Sequence, residues 1–314
     1  MQNILITGVA GFIGSNLAEF LLDKGHTVVG IDDLYYGVKE QVPGKVEFHK
    51  MDICSEDILD LFGDVDAVFH FAAKNCISDC QLDPVETAKI NILGTVNVLE
   101  ACRTNNVEKV ILAESSAVYE GCDMFPTAEE NESPQSFYAI SKLCGKLFAD
   151  GYINSSSMNI STLRYFNVYG PRQDYRRTVP PLMSGIIIRL LKGESPIIYG
   201  DGTKRRDFIY IDDVNRFHEM ILFDERTNGK VFNLGSGVNY SVLEIYEVIE
   251  SILETGLKPV FKPDLPGEAF QNLADISKAE SLSWKPRVSL EEGLGLSIDY
   301  IRENVLNTME LTPS

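Results

Sequence analysis

The chain has 314 residues, of which 44% are hydrophobic and 24% charged, the composition of an ordinary globular protein. Its formal net charge of −18 argues against a partner that is nucleic acid or an anionic membrane, because both require local positive charge. No segment approaches the roughly 18 apolar residues of a membrane-spanning helix, and MQNILITG lacks the basic start of a signal peptide. Six cysteines and four histidines fall at scattered spacings, so we predict no metal site and interpret the cysteines as reduced thiols of a cytoplasmic protein.

Apolar segments that suit buried strands alternate with helical patterns through the first half of the chain. The predicted strands are residues 3–7, 26–32, 45–49, 67–71, 109–113 and 159–166. The predicted helices between them are residues 12–24, 85–102 and 137–152. This alternation is typical of a parallel sheet with helices on both faces. The sequence therefore predicts an α/β fold with a doubly wound parallel sheet.

The character of the sequence changes after about residue 170. Strand-like segments become shorter, glycine and proline are more frequent, and helices are predicted near residues 181–191, 212–223 and 241–254. We expect two parts, a larger one at 1–170 and a smaller α+β substrate-binding lobe at 171–314, with an approximate boundary that the chain can cross.

A glycine-rich segment, ITGVAGFIGS, follows the first predicted strand and opens the first predicted helix. Gly8 allows a tight turn, Gly11 lets the backbone approach a pyrophosphate, and Gly14 lets the helix pack against the sheet. Phe12 and Ile13 lie between these glycines, in the first turn of the helix. The setting indicates a dinucleotide site in a Rossmann-type domain, although the spacing G-x-x-G-x-x-G differs from the commoner G-x-G-x-x-G.

The second predicted strand ends at Asp32 and Asp33, where a carboxylate can accept hydrogen bonds from ribose hydroxyls. A carboxylate there repels a 2′-phosphate, so the predicted cofactor is NAD and not NADP. The alternative for Asp32 is a solvated turn residue. Asp52 and Ile53 follow the third strand and are expected near the adenine.

Tyr138 and Lys142 are four residues apart at the start of a predicted helix, so they share one face about 5–6 Å apart. An ammonium beside a phenol favours the phenolate, which makes Tyr138 a candidate proton acceptor. A loosely paired tyrosine and lysine on a helix surface is the alternative. The same spacing occurs at Tyr35 and Lys39, where a glycine inside the segment favours a loop.

These motifs together resemble the extended short-chain dehydrogenase/reductase family, and within it the nucleotide-sugar epimerases and dehydratases. The family's order of motifs is matched over nearly the whole chain by TGVAGFIGS, HFAAK, SSAVY, YAISK, LRYFNVYGPRQ, GDGTKRRDFIYIDDV, FNLGSG and ADISKA. The resemblance implies NAD as cofactor and a nucleoside diphosphate sugar as substrate. It is greatest to members that act on UDP-sugars. It also implies a homodimer formed by two helices, here those near 85–105 and 137–153.

The resemblance assigns roles position by position. It implies that Ser115, Tyr138 and Lys142 are catalytic, with Ser116 beside the sugar. The implied cofactor positions are Ala72, Ala73, Lys74, Asn91 and Tyr165, and the implied substrate positions are Lys74, Asn167, Tyr199, Arg206 and Asn272.

Two positions depart from the family pattern. Leu265 stands where the family often has an arginine that binds the diphosphate. Either Arg206 and another base such as Arg172 or Lys204 suffice, or the substrate is held differently. Glu120 stands where a glycine usually follows Val-Tyr, in a loop that borders the sugar site.

The residues after Ser115 favour one reaction over another. Related dehydratases place Asp-Glu after the catalytic threonine, whereas this chain has Ser116 and Ala117, and elimination needs an acid and a base. We therefore predict a 4-epimerase that oxidises a UDP-sugar at C4 and reduces it again on the other face. The alternatives are a dehydratase or other lyase or reductase, in which Glu114 or Glu120 is the acid, and a non-catalytic NAD-binding protein.

Asn272 matches a position that limits the size of the sugar in the family. A tyrosine there restricts members to glucose and galactose, and smaller residues admit N-acetyl sugars. Asparagine is intermediate, so we expect UDP-N-acetylglucosamine or a UDP-uronic acid such as UDP-glucuronate, with UDP-glucose as an alternative.

Overall fold

The computed structural model describes residues 1–176, 180–264 and 269–306. Its strands are β1 (Asn3–Thr7), β2 (Thr27–Asp32), β3 (Glu47–Lys50), β4 (Ala67–His70), β5 (Lys109–Ser115), β6 (Ile160–Tyr165), β7 (Asn167–Tyr169), β8 (Ile197–Tyr199), β9 (Arg205–Tyr210), β10 (Val231–Leu234), β11 (Asn239–Ser241) and β12 (Val260–Lys262).

Seven strands form one parallel sheet in the order β10-β6-β5-β4-β1-β2-β3. The chain builds β1, β2 and β3 in one direction and then returns to place β4 on the other side of β1. At that reversal Thr7 pairs with Ile31 on β2 and with His70 on β4. Ligands of such sheets bind in the crevice at the carboxyl ends of the strands beside this reversal.

Helices cover both faces of the sheet, as the alternating pattern predicts. The α-helices are α1 (Phe12–Asp23), α2 (Ile77–Leu82), α3 (Pro84–Ala88), α4 (Thr95–Thr104), α5 (Phe137–Ser156), α6 (Leu182–Leu191), α7 (Ile211–Phe223), α8 (Val242–Leu253), α9 (Ser277–Glu280) and α10 (Leu290–Tyr300). Leu17 of α1 and Phe217 of α7 belong to the buried cluster on one face, and Val98 of α4 and Ala149 of α5 to the cluster on the other. The predicted fold class is confirmed.

Shorter helical turns complete the chain, and one of them alters a predicted helix. The 3-10 turns are Lys39–Gln41, Glu56–Phe62, Ser116–Tyr119 and Glu225–Thr227, and the π turns are Lys89–Gly94 and Ile301–Leu306. The helix predicted at 85–102 is divided into α3, the π turn at Lys89–Gly94 and α4. Single π turns inside helices are frequent at functional sites, and this one carries Asn91.

Strands beyond residue 170 form smaller sheets. β11, β9 and β7 make a three-stranded sheet, and β12 and β8 a two-stranded one. β10 instead pairs with β6 in the main sheet, so the chain crosses back after leaving it. The division near residue 170 stays a prediction. Within the described residues, none of the helices has the length and apolar content needed to cross a membrane.

Candidate active site

A cavity of about 1240 Å³ opens at the carboxyl edge of the main sheet and extends toward the smaller sheets. Thirteen of the predicted site residues line it: Gly8, Gly11, Phe12, Ile13, Gly14, Ala73, Ser115, Tyr138, Lys142, Tyr165, Asn167, Tyr199 and Arg206. The remaining predicted residues are not among those that line it: Asp32, Asp33, Asp52, Ile53, Ala72, Lys74, Asn91, Ser116 and Asn272.

The glycine loop has the close backbone contacts that a dinucleotide site requires. Gly8 has a φ of +73°, and a Cβ there would lie 2.7 Å from the backbone nitrogen of Ala72. A Cβ on Gly14 would lie 2.2 Å from the carbonyl oxygen of Gly8. Helix α1 begins directly after Gly11, whose residue type offers no capping side chain, so its first N–H groups suit a phosphate.

Asp32 lies at the end of β2, directly behind the glycine loop. Its two carboxylate oxygens accept hydrogen bonds from the N–H groups of Ala10 (3.0 Å) and Leu34 (2.9 Å). Burial raises the pKa of this carboxyl, and the two N–H donors counteract the rise. Each oxygen keeps a lone pair for a ribose hydroxyl. Asp33 is exposed and accepts from the N–H of Tyr35.

Asp52 and Ile53 contribute to the turn after β3. The Asp52 carboxylate accepts from the N–H of Cys54 at 2.8 Å and is exposed, while Ile53 is buried in the core beside α4. Their predicted position near the adenine stays a prediction.

Asn91 connects the loop after β4 to the helix that carries Tyr138. Its side-chain oxygen accepts from the N–H of Lys74 at 2.8 Å, and its amide donates to the Lys74 carbonyl at 3.0 Å and to the Ser141 hydroxyl at 2.9 Å. The Lys74 ammonium donates to the carbonyl of Asp83 at 3.4 Å. Both side chains thus shape the cavity wall from behind it.

The three predicted catalytic residues come from two elements that meet at the cavity. Ser115 ends β5, and its hydroxyl accepts from the N–H of Ala117 at 3.2 Å. Tyr138 and Lys142 lie in the first two turns of α5. Burial lowers the pKa of the Lys142 ammonium to about 8, and the Glu114 carboxylate opposes this effect. The side chain is therefore close to its titration range at neutral pH.

Glu120 holds the start of α5, a role that the sequence analysis missed. Its carboxylate accepts from the N–H groups of Gln135 (3.1 Å) and Ser136 (2.7 Å) and from the Ser136 hydroxyl (2.8 Å). The Ser136 hydroxyl accepts in turn from the N–H of Ala139, and Gln81 accepts from that of Phe137. A carboxylate at a helix N-terminus also interacts favourably with the helix dipole. Glu120 therefore fixes the helix that presents Tyr138.

Glu114 points into a buried ion-pair group. One of its oxygens accepts from the guanidinium of Arg164, which also binds Glu132 and donates to the Tyr119 hydroxyl at 2.8 Å. Glu114 and Arg164 are both almost fully buried. Burial raises the pKa of the Glu114 carboxyl, and the Arg164 guanidinium lowers it.

The predicted substrate residues lie on short strands at the far end of the cavity. Arg206 lines it and donates to the carbonyls of Arg205 (2.9 Å) and Phe270 (3.3 Å). Asn272 instead accepts from the N–H of Asp207 at 2.8 Å and from the amide of Asn167 at 3.3 Å. Asn272 therefore joins β9 to β7.

Two further bases were predicted to help Arg206. Arg172 donates to the carbonyl of Ser15 at 3.0 Å and to the Glu19 carboxylate at 2.8 Å, so it ties the loop after β7 to α1. Lys204 forms an ion pair with Asp264. Leu265, at the position where an arginine was expected, lies outside the described residues.

The cavity concentrates positive charge in a chain of net charge −18. Its lining includes four acidic side chains, Glu40, Glu114, Asp174 and Glu194, and seven basic ones, Lys142, Arg172, Arg176, Arg189, Lys192, Lys204 and Arg206. Such a site suits an anionic ligand with phosphate groups. Among the described residues, no three histidine, cysteine or carboxylate side chains are grouped to hold a metal ion, and all six cysteines are free thiols.

His218 supports the cavity wall and was also missed. Its Nε2 lies 2.7 Å from the Tyr165 hydroxyl, and burial lowers the pKa of the imidazole to about 3. The ring is therefore neutral at physiological pH and fixes Tyr165 without adding charge. No spacing in the sequence connects these two residues, which are 53 positions apart.

Comparison with known proteins gives the same fold and a family. The NAD dependent epimerase/dehydratase family model matches residues 4–235. The UDP-glucose 4-epimerase of Thermotoga maritima, solved with UDP-glucose, superposes with a TM-score of 0.93 at 33% identity, over 96% of this chain and 99% of that chain. The UDP-N-acetylglucosamine 4-epimerase of Methanobrevibacter ruminantium, solved with UDP-N-acetylmuramic acid, gives 0.92 at 32%, over 97% and 99%.

A third solved structure contains both ligands of the predicted reaction. It is the UDP-glucuronic acid 4-epimerase of Bacillus cereus with UDP-glucuronic acid and NAD, which gives a TM-score of 0.87 at 34% identity, over 96% of this chain and 99% of that chain. The family model and these full-length similarities agree with the motifs and with the sheet order. This chain belongs to the NAD dependent epimerase/dehydratase family.

Proposed function

We propose that this protein is an NAD-dependent 4-epimerase of a UDP-sugar that acts through a transient 4-keto sugar. The main support is the meeting of Ser115, Tyr138 and Lys142 in one cavity with the glycine loop. Ser116 and Ala117, the next residues, offer no carboxylate for elimination. The three similar structures are all named as 4-epimerases of UDP-sugars.

The residues of the cavity have distinct parts in this reaction. Tyr138 accepts the proton of the C4 hydroxyl, with Ser115 as a hydrogen-bond partner of the same oxygen, and Lys142 stabilises the phenolate. NAD, when held by the glycine loop and Asp32, supplies a reversible hydride acceptor for C4. After the sugar has turned, Tyr138 returns its proton to the C4 oxygen. No net proton or electron is consumed, so no second reductant is needed.

The dehydratase alternative requires an acid, and the two candidate carboxylates both form structural contacts. Glu120 accepts three hydrogen bonds at the start of α5, and Glu114 is bound to Arg164 beneath the same helix. Both carboxylates therefore have structural partners. These contacts support epimerisation over elimination.

For the substrate, we propose UDP-N-acetylglucosamine or a UDP-uronic acid ahead of UDP-glucose. Asn272 is smaller than the tyrosine of glucose-restricted members, and its amide is bound to the backbone of Asp207. The positively charged lining is compatible with the diphosphate of all three sugars. Arg206 is the proposed diphosphate ligand, and Tyr199 the proposed neighbour of the base.

We further propose a homodimer formed by the α4 and α5 side of the molecule. Leu93, Ile140, Leu147 and Phe148 are between 41% and 55% exposed there, and the three in α5 follow one helical stripe. Light scattering should give twice the chain mass, and Leu147→Asp should shift it to the monomer. A monomeric wild type would contradict this proposal. Placement in the cytoplasm stays a prediction, and we further propose a role in polysaccharide biosynthesis.

A product assay tests the proposed reaction. The purified protein is incubated with UDP-glucose, UDP-N-acetylglucosamine or UDP-glucuronate, and the products are followed by NMR. We expect the 4-epimer of at least one sugar and equilibrium from either side. Accumulation of a 4-keto-6-deoxy sugar would favour the dehydratase, and bound NAD without turnover of any sugar would favour a non-catalytic protein.

A further inference from the structure

A cluster of four charged side chains lies near the catalytic helix: Glu114, Arg164 and Lys142, which are buried, and Glu132, which is partly exposed. Glu114 on β5 is directly opposite Arg164 on β6 in the sheet register. Arg164 has no exposed surface and binds the carboxylates of both Glu114 and Glu132. With Lys142 included, this charge cluster contains two acidic and two basic side chains.

The strand and helix patterns place Glu114 under Lys142. Alternate residues of β5 point to the same face, and Val110 and Leu112 pack in the core with Ala149 of α5. Glu114 continues this series along β5. Lys142 lies two helical turns before Ala149 on the same face of α5. The Glu114 carboxylate and the Lys142 ammonium therefore both face the layer between β5 and α5, and the charge of Glu114 acts on Lys142.

Only one oxygen of Glu114 is used by Arg164. The other, Oε1, is buried and has no hydrogen-bond partner among the described residues, and Glu114 lines the cavity whereas Glu132 does not. The other titratable groups that interact with Lys142 are uncharged at neutral pH, because burial lowers the pKa of His70 to about 3 and raises that of the Cys80 thiol. Glu114 is thus the carboxylate that faces Lys142.

We propose that Glu114 is a positioning residue that keeps Lys142 protonated beside Tyr138. Burial alone favours the neutral amine, and a neutral lysine cannot stabilise the Tyr138 phenolate. The free oxygen of Glu114 offsets that loss through its charge. This inference rests on the proposed function, because Lys142 matters only if Tyr138 exchanges a proton.

The first test measures the charge of Lys142 without turnover. Acetic anhydride reacts only with neutral amines, so the rate at which Lys142 is acetylated, followed by mass spectrometry, reports its neutral fraction. Glu114→Gln keeps an acceptor for Arg164 but removes the charge, and we expect about fivefold faster acetylation at pH 7. Glu132→Gln is the matched control, since it removes the other Arg164 partner, and it should leave the rate unchanged.

The second test uses the pH dependence of kcat. In Glu114→Gln the loss of activity at alkaline pH should begin about one pH unit lower than in wild type, with KM unchanged. Glu132→Gln should keep the wild-type pH dependence of kcat, with a melting temperature similar to that of Glu114→Gln. Equal acetylation rates and equal pH profiles in the two variants would overturn the inference. A wild type that turns over no UDP-sugar would instead overturn the proposed function, while the acetylation result would still decide the charge of Lys142.

Discussion

The cofactor side and the sugar-nucleotide side of the cavity are built in different ways. On the cofactor side, backbone groups at the ends of β1 and β2 and the start of α1 form the wall, with glycines where a side chain would collide. On the sugar-nucleotide side, Tyr199 and Arg206 extend from short strands of two separate small sheets. The backbone of the main sheet thus forms the cofactor side, whereas individual side chains form the sugar-nucleotide side.

This difference explains why residues on the cofactor side can be predicted from the sequence more readily than those on the sugar-nucleotide side. A turn that requires positive φ or close backbone approach restricts residue type, so Gly8 and Gly14 identify their own environment. A side chain such as Asn272 can face a ligand or its own backbone without any change in sequence pattern. Substitutions on each side of the cavity separate these two kinds of construction.

Replacement of Tyr138 should have the largest effect, because both sides of the cavity serve its proton transfer. Tyr138→Phe should lower kcat by roughly 10²–10⁴-fold while NAD stays bound, since the glycine loop is untouched. Tyr35→Phe is the control, because Tyr35 has the same spacing to a lysine but is 77% exposed. Near-normal turnover by Tyr138→Phe would remove Tyr138 as the base.

Asp32→Asn tests the cofactor side. Loss of charge at hydrogen bonds to the ribose should raise the Kd for NAD by about tenfold to a hundredfold, and the KM for the UDP-sugar should change little. Titration calorimetry on protein freed of NAD measures this. Asp33→Asn, at the exposed neighbouring position, should bind NAD as wild type does. If both variants bind NAD equally, Asp32 is only a turn residue.

Arg206→Lys tests the sugar-nucleotide side. A lysine keeps the charge but loses the forked donor geometry, so the KM for the UDP-sugar should rise by about tenfold with NAD affinity unchanged. Arg205→Lys is the matched control, because Arg205 binds Asn239 and Glu244 instead of the cavity. A rise in KM for Arg205→Lys alone would show that the diphosphate lies elsewhere.

Glu120→Gln should give the smallest effect, because it weakens the support of α5 without touching the cavity. We expect a loss of about 1 kcal/mol in the free energy of unfolding and a few-fold lower kcat, since a charged acceptor at the helix start becomes neutral. Urea unfolding and steady-state rates measure the two quantities. Full stability with unchanged kcat would mean that Ser136 and Gln81 hold the helix without Glu120.

Much of the fold was predictable because hydrophobic periodicity is local. Strand β1 and helices α1, α7 and α8 lie within a residue or two of their predicted limits. The helix predicted at 85–102 contains a π turn that was not predicted. Asn91 in this turn bonds to Lys74 and Ser141, and such tertiary contacts leave no local pattern in the sequence. Helix α10 was not predicted, because its two glycines weaken the helical pattern. One of them, Gly293, is required by tertiary packing, since a Cβ there would lie 2.3 Å from the Tyr169 hydroxyl.

The candidate site was predictable in its composition but less so in its contacts. Tyr138 and Lys142 were identified from their spacing and Ser115 from the family resemblance, and all three line the cavity. The partners that position them, Glu120 and Glu114, were considered only as possible acids. Their hydrogen bonds join residues 15 to 50 positions apart, a distance at which sequence periodicity carries no information.

In the proposed reaction, one hydrogen leaves C4 and returns to C4 of the same sugar. A UDP-sugar that the protein accepts is prepared with deuterium at C4, and the 4-epimer is analysed by NMR and mass spectrometry. The product should retain deuterium at C4 without exchange with solvent and without accumulation of reduced cofactor. Hydrogen from water at C4, or deuterium transferred to C6 of a deoxy sugar, would contradict it.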